Sequence, residues 1–281
     1  MNPAVLRQAY LDACETELQA FKPGNVSVHA EGHDMTVADF RASAAASAPH
    51  LVDATLPLGR RIEAAIGATR DAVPCNTNLG IVLLCAPMLA AALGGRNGDW
   101  RGELQQILQN TTVADAEAVF RAIVAAAPGG LGEVGEQDVR DLPTVTLLEA
   151  MRLAAGRDRI AYQYVSCYAD VFGIALPAYR AAREKGREES WSALAAYAAL
   201  LRRIPDSHVE RKFGARFNPL IQERMTRIDV ALNAFGDPGP LLQLLQEADV
   251  EFKSFGINPG TSADLTVACL LAARLDVLAQ K

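Results

Sequence analysis

The segment FKPGNVSVHAEGHDM, residues 21–35, gathers Lys22, Asn25, His29, His33 and Asp34 on a stretch with few large apolar residues. A Pro-Gly pair marks a change of direction, but reversing a chain needs no such collection of hydrogen-bonding and charged groups. A cation, imidazoles and a carboxylate close together are the groups of proton transfer and of phosphate or metal binding. His29 and His33 stand four apart, yet Pro23, Gly24 and Gly32 keep them off a shared helical face. Without an HExxH context they make a poor zinc pair.

Further polar segments recur along the chain. PCNTNLG sets Asn76, Thr77, Asn78 and Gly80 ahead of a strongly apolar run. One of these polar residues is accounted for by helix capping; amides at a helix start also suit a phosphate or carboxylate. PDSHVERKFG carries Asp206, Ser207, His208, Glu210, Arg211 and Lys212. Cations beside an aspartate suit a polyphosphate with its Mg²⁺, while a solvated face is the plainer reading. GINPGTSADL places Asn258, Ser262 and Asp264 at a helix start, where a cap and a first-turn acid already explain them. PGGLGEVG has the glycines of an anion nest. It lacks both the Lys-Ser/Thr ending and the preceding strand of a phosphate loop, so it reads as a loop and no more. No Ser-His-Asp order or GxSxG elbow points to acyl transfer. Tyr162, Tyr164, Tyr168 and Phe172 sit at near-helical spacing and read as core rather than as a base-stacking platform.

The elements that carry these segments follow from composition. Of the 281 residues 50% are hydrophobic and only 6% aromatic, so Ala, Leu, Val and Ile build the core. Ala and Leu are strong helix formers, apolar periodicity is helical almost throughout, and hairpin signals between β-rich runs are missing. The expected fold is all-α: one multi-helix domain over 1–281, with a polar cleft formed by interhelical loops. Predicted helices include 4–21, 36–47, 50–70, 77–93, 157–182 and 261–279, with PDSHVERKFG left irregular. The long irregular stretch APGGLGEVGEQDVRDLP leaves room for a division into subdomains near residue 135.

A net charge of −6 argues against a nucleic-acid or membrane-surface binder. The longest apolar run, LGIVLLCAPMLAAALGG, contains a proline and falls short of the ~20 residues of a membrane span. Five scattered cysteines without a CxxC pair fit reduced thiols. With no signal peptide in view, a cytoplasmic location is expected. The Ala-rich helices also suit packing across a homodimer.

In order along the chain, KPGNVS…GHDM, NTNLG, PDSHVERKFG and NPGTSADL resemble the signature elements of the triphosphoribosyl-dephospho-CoA synthases. Four elements spanning residues 17–270 make the match fairly specific. The resemblance implies an all-α transferase that moves the 5-triphosphoribosyl group of ATP to the 2′-hydroxyl of 3′-dephospho-CoA and releases adenine, for the prosthetic group of certain acyl-carrier proteins. There are departures: Asn258 stands where the family usually has Ser, and Thr261 where it has a second Gly. With the PGGLGEVGEQDV and RDRIAYQYVSCYADVF blocks, these are similar to a divergent branch of archaeal and one-carbon-metabolising bacterial sequences. They leave the acceptor more open than the nucleotide. The alternatives are a related ribosyl transferase with another acceptor in one-carbon cofactor biosynthesis, and a non-catalytic nucleotide-sensing module.

Breaking an N-glycosidic bond develops oxocarbenium-like charge on the ribose. The resemblance therefore implies site roles. Glu17, His33 and Asp34 are the catalytic set, with His33 or Glu17 the base. Lys22, Arg211 and Lys212 meet the triphosphate. Gly24, Asn25, Asn76, Thr77, Asn78, Gly80, Ser207, Gly260 and Ser262 bind or orient the nucleotide. Asp34, Asp206 and Asp264 serve Mg²⁺ or the sugar.

Overall fold

The computed structural model describes residues 1–95, 98–126, 138–234 and 239–280. Among them the fold is all-α, as the composition predicts; the nearest approach to a strand is two isolated bridges, Ser27 with Ala30 and Gly32 with Met35. The helices are α1 (Pro3–Gln19), α2 (Val37–Leu51), α3 (Leu58–Ala72), α4 (Leu79–Gly94), α5 (Trp100–Gln109), α6 (Val113–Ala126), α7 (Leu147–Ala154) and α8 (Arg159–Ser166). They continue as α9 (Leu176–Glu184), α10 (Glu189–Arg203), α11 (Ser207–Phe213), α12 (Asn218–Asn233), α13 (Gly239–Ser254) and α14 (Gly260–Leu278). No helix among the described residues is long and apolar enough to cross a membrane.

The chain groups into two compact units. The first takes Met1–Cys14, Ala38–Tyr168 and Leu271–Lys281. In it α4 is apolar on nearly every face and packs against α3, α5 and α8. Pro87 lies inside α4 and has no N–H to give the carbonyl four residues back. That carbonyl, Leu83 O, instead accepts from the Tyr164 hydroxyl at 2.7 Å, and Tyr168 donates to Leu84 O at 2.6 Å. These two tyrosines are core, as their helical spacing suggests. Helix α3 approaches α6 so closely that a Cβ at Gly59 would sit 2.6 Å from the Asp115 backbone. The Gly59 N–H donates to the Asp115 carboxylate at 2.8 Å.

The second unit takes Glu15–Val37 and Ala169–Leu270. Helix α10 packs on α9 and α12, and α12 on α13, around Leu194, Tyr197, Val209, Met225, Leu245 and Phe252. A 3₁₀ turn, Gly214–Phe217, joins α11 to α12.

Three predicted boundaries shift. The helix expected over 50–70 is α3 alone: residues 50–51 end α2, and Pro57 in extended conformation starts α3 at Leu58. The 157–182 helix breaks at Cys167 and Tyr168, whose φ of 51° and 63° is left-handed, and resumes through a π turn at Val171–Ala175. PDSHVERKFG contains α11.

Candidate functional site

The loop after α1 is built around a turn whose polar groups point inward. The Lys22 ammonium is wholly buried, 3.0 Å from Glu17 Oε1, and donates to Val26 O at 2.8 Å. Burial pushes both partners toward their neutral forms, lowering the Lys22 pKa and raising that of Glu17, while their mutual attraction resists. Gly24 takes φ 81°; a Cβ there would lie 3.0 Å from Ile257 O, the Phe252 ring and Pro259. Only glycine accepts that conformation at so close an approach. The turn is fastened from three sides. Tyr197 Oη on α10 donates to Pro23 O at 2.9 Å, and the Gly24 N–H donates to Asp249 Oδ1 on α13 at 2.9 Å. Asn25 Nδ2 donates to Asn258 Oδ1 at 2.8 Å. Lys253, one helical turn beyond Asp249, donates to its other carboxylate oxygen at 2.9 Å. The Lys253 stem also runs under Gly32, where a Cβ would meet its Cε at 3.0 Å.

This bracing leads to His33 and Asp34, both left-handed at φ 60° and 58°. Such geometry costs an L-residue about 1–2 kcal/mol, so the surroundings must impose it. One restraint is plain: His33 Nε2 lies 2.9 Å from Gly24 O, a carbonyl that can only accept, so Nε2 carries the proton. Asp34 is exposed beside it.

The second element begins at α11. Asp206 is 2% exposed, and one carboxylate oxygen accepts from the His208 and Val209 amides at 2.9 and 3.1 Å. The other accepts from the Ser262 amide at 2.7 Å and its hydroxyl at 2.8 Å. One buried carboxylate thus caps α11 and ties it to the first turn of α14. Ser207 and Thr261 join the same two helices through their hydroxyls at 3.1 Å. Burial still raises the Asp206 pKa against these four donors. His208 is half-buried, and its Nδ1 is 3.0 Å from where a Gly260 Cβ would be. Burial lowers the His208 pKa; Asp206 opposes this, and Arg211, His33 and Lys212 add to it. The loop carrying His33 and the helix carrying His208 therefore face one electrostatic environment. Arg211 and Lys212, one turn further along α11, are exposed.

The family model described as ATP:dephospho-CoA triphosphoribosyl transferase matches residues 3–281. The chain belongs to this family. It is a transferase by that membership. A crystal structure of an Archaeoglobus fulgidus protein named for triphosphoribosyl-dephospho-CoA synthase is similar, with a TM-score of 0.62 and 21% identity over 83% of this chain and 97% of that one. At that identity the likeness speaks for the fold. No curated protein matches the chain.

Several residues that the family resemblance assigns to ligand contact also brace the framework in this transferase. Lys22 was expected at a triphosphate and Glu17 as a base, yet each is sealed against the other. Asp206, expected at Mg²⁺, has both oxygens committed to four protein donors. Ser262 spends its amide and hydroxyl on Asp206, and the Gly260 amide donates to Asn258 O at 2.8 Å. Gly24, Asn25 and Ser207 serve the same framework. Asp264 is half-buried on α14 and engaged with neighbouring groups. No three His, Cys, Asp or Glu residues among the described ones form a metal-binding group.

Asn76, Thr77, Asn78 and Gly80 belong to the first unit. Asn76 Oδ1 accepts from the Leu79 amide at 3.2 Å and so satisfies a first-turn donor of α4, whose N-cap, Asn78, makes no side-chain cap bond. Thr77 bonds to the Ser43 hydroxyl, and Asn78 Nδ2 reaches Ser43 O, Ser47 Oγ and Thr69 Oγ1. Both are buried. PGGLGEVG, with the division considered near residue 135, lies outside the described residues.

Tyr197, Asp249 and Lys253 escaped the sequence reading. Nothing local distinguishes them from any other polar or aromatic residue on an amphipathic helix. His208 was visible inside PDSHVERK but drew no role.

Proposed function

We propose that this transferase moves the 5-triphosphoribosyl group of ATP to the 2′-hydroxyl of 3′-dephospho-CoA and releases adenine. The observation that carries the reading is one of placement. Elements from residues 22–35, 206–212 and 258–262 share a single hydrogen-bonded framework in the second unit. His33, Asp34, His208, Arg211 and Lys212 stand at its surface. In this reading Arg211 and Lys212 meet the triphosphate, which stays attached to the ribose, and the Asp34 carboxylate opposes the positive charge that grows on the sugar as adenine departs. The described residues do not form a metal centre of their own. In this reading Mg²⁺ enters as a companion of the nucleotide phosphates.

The test is to incubate the protein with ATP, Mg²⁺ and dephospho-CoA and to follow free adenine and the product mass. Adenine with a triphosphoribosyl adduct supports the reading. ADP or AMP overturns it, and ATP recovered intact points to nucleotide sensing. Asp34→Asn is expected to abolish adenine release with the melting temperature unchanged; full turnover removes Asp34 from the chemistry. The second reading keeps the donor and changes the acceptor. Asn258 and Thr261, which depart from the usual family residues, favour it because each is bonded to a signature residue, Asn25 and Ser207. A screen of hydroxyl acceptors scored by adenine release separates the two.

A further inference from the structure

We infer that the exposed ring of Phe255, with Arg216 beside it, holds the adenosine diphosphate end of the acceptor, an assignment that rests on the proposed glycosyl transfer for its choice of ligand and deepens it. Among the described residues Phe255 is the one exposed member of the Phe, Tyr and Trp set, at 47%. A ring left that far in water forgoes much of the benefit of burial. It rests on other rings. One face lies over Phe217, with centroids 5.4 Å apart and planes at 30°, and Phe213 meets Phe217 edge-on at 5.1 Å. Phe217 is buried, so what Phe255 shows to solvent is its rim and outer face. The backbone beneath it is fixed. Gly256 turns left-handed at φ 69°, and the Ile257 amide donates to Phe252 O at 2.9 Å, closing the end of α13.

Cations flank this cluster. The Lys212 ammonium lies 5.1 Å from the Phe213 centroid and 3.5 Å from Gly256 O, and the Arg216 guanidinium 4.9 Å from the Phe217 centroid. Arg211, Lys212 and Arg216 are all exposed, while the acid of this stretch, Glu210, accepts from Asn218 Nδ2 at 2.8 Å. On a chain of net charge −6 this is a local positive surface around an open ring. A purine stacks on such a ring whatever its hydrogen-bonding edge, and an arginine beside it suits a phosphate. An adenosine phosphate matches the patch in shape and charge.

Two nucleotides meet in the proposed reaction, and placement selects the acceptor. Arg211 and Lys212 serve the ATP triphosphate in that reading, which leaves Arg216 for a second set of phosphates. The attacking 2′-hydroxyl of dephospho-CoA belongs to the same nucleoside as its adenine, so a base on Phe255 keeps that hydroxyl within a nucleoside's reach. The framework brings ring and loop together. Lys253, two residues before Phe255, runs under Gly32, two residues before Asp34, and Asn258, three residues after Phe255, bonds to Asn25. The platform thus holds the base that stays while the other departs.

The experiment measures calorimetric binding of dephospho-CoA, 4′-phosphopantetheine and ATP to the full chain, together with adenine-release kinetics, for wild type, Phe255→Ala, Phe255→Trp and Arg216→Gln. Loss of one stacked base should raise the Kd for dephospho-CoA about 5- to 150-fold in Phe255→Ala, with that for 4′-phosphopantetheine, which lacks the base, unchanged. Arg216→Gln should raise it about 10-fold or more. The loss should fall on KM for dephospho-CoA rather than on kcat or on KM for ATP. Phe255→Trp should bind within threefold of wild type, and dephospho-CoA should quench its added indole emission beyond any change in wild type. If Phe255→Ala fails to fold, that emission decides the matter, and an unquenched indole overturns the proposal. A Phe255→Ala chain within twofold of wild type for dephospho-CoA overturns it. A loss confined to ATP also overturns it and gives the ring to the donor. A wild-type dimer that Phe255→Ala dissolves, with dephospho-CoA affinity unchanged, overturns it in favour of a second copy. These outcomes leave the glycosyl-transfer reading standing. Wild-type protein that binds dephospho-CoA through Phe255 yet releases no adenine sinks the transfer reading and supports the site.

Discussion

The Glu17–Lys22 pair distinguishes a framework residue from a ligand contact in a way that can be measured. Both side chains are sealed, at 3% and 0% exposure, 3.0 Å apart, and Lys22 also serves Val26 O at 2.8 Å. Removing one partner strands the other as a buried, uncompensated charge, which costs about 3–5 kcal/mol. Lys22→Met and Glu17→Leu should therefore each lower the melting temperature by roughly 6–20 °C, at about 2–4 °C per kcal/mol for a chain of this order of size. The double variant removes both charges together. What remains is chiefly the Val26 carbonyl without its donor, about 1–3 kcal/mol. The two single losses sum to about 6–10 kcal/mol, so the coupling energy should be at least about 3 kcal/mol. Denaturant unfolding of the four proteins closes the cycle. A coupling below about 1 kcal/mol, the value of exposed pairs, would refute the reasoning. Together with a raised KM for ATP in a stable Lys22→Met enzyme, it would return Lys22 to the triphosphate.

Three further outcomes follow from the same framework. Gly24→Ala forces a Cβ to 3.0 Å from Ile257 O at φ 81°; a loss of about 1–3 kcal/mol in unfolding free energy is expected, and unchanged melting would mean the turn relaxes freely. Asp206→Asn sets an amide donor against either the Ser262 or the α11 donors, so about 3 kcal/mol should be lost in denaturation; a change under about 0.5 kcal/mol would show that the carboxylate does not tie the two helices. The His208 pKa lies below its ordinary value of 6.5, so the unfolded chain binds more protons in the window between the two values. The contribution is present above that ordinary value and lost as pH falls through the lowered one. Wild-type melting should thus fall more steeply than that of His208→Gln between about pH 7 and pH 5, and parallel curves would contradict the sign.

The helical class was legible because it rests on abundant, redundant signals: alanine and leucine content and a repeating apolar face. The start of α3 was not legible even though Pro57 enforces it, because the apolar periodicity over 50–70 runs across that proline. Nor was the break at Cys167 and Tyr168, because neither residue type announces a left-handed backbone; the surrounding packing imposes it. Helix α11 is seven residues long and too short for periodicity to register, although its cap, Asp206, stood in plain view. The site divides in the same way. Its segments were recognisable by residue type, but type does not reveal which way a side chain turns. Lys22 and Asp206 look like ligand-binding charges in a string of letters. In the fold their partners are a glutamate five residues back and a serine 56 residues on, and buried polar groups must find such partners wherever the chain brings them. Asp249 and Lys253 satisfy the loop from a helix far along the sequence, with no local mark to advertise it.

The inward commitment of Asp206 has an evolutionary corollary. A carboxylate that clamps two helices from within leaves the outer side chains free to vary. In the proposed reading, changes at Arg211 or Lys212 would retune what is gripped without loosening the joint beneath them. A lineage could then wander among acceptors while keeping the same skeleton, and its members would share their hidden fasteners more faithfully than the groups that handle the substrate.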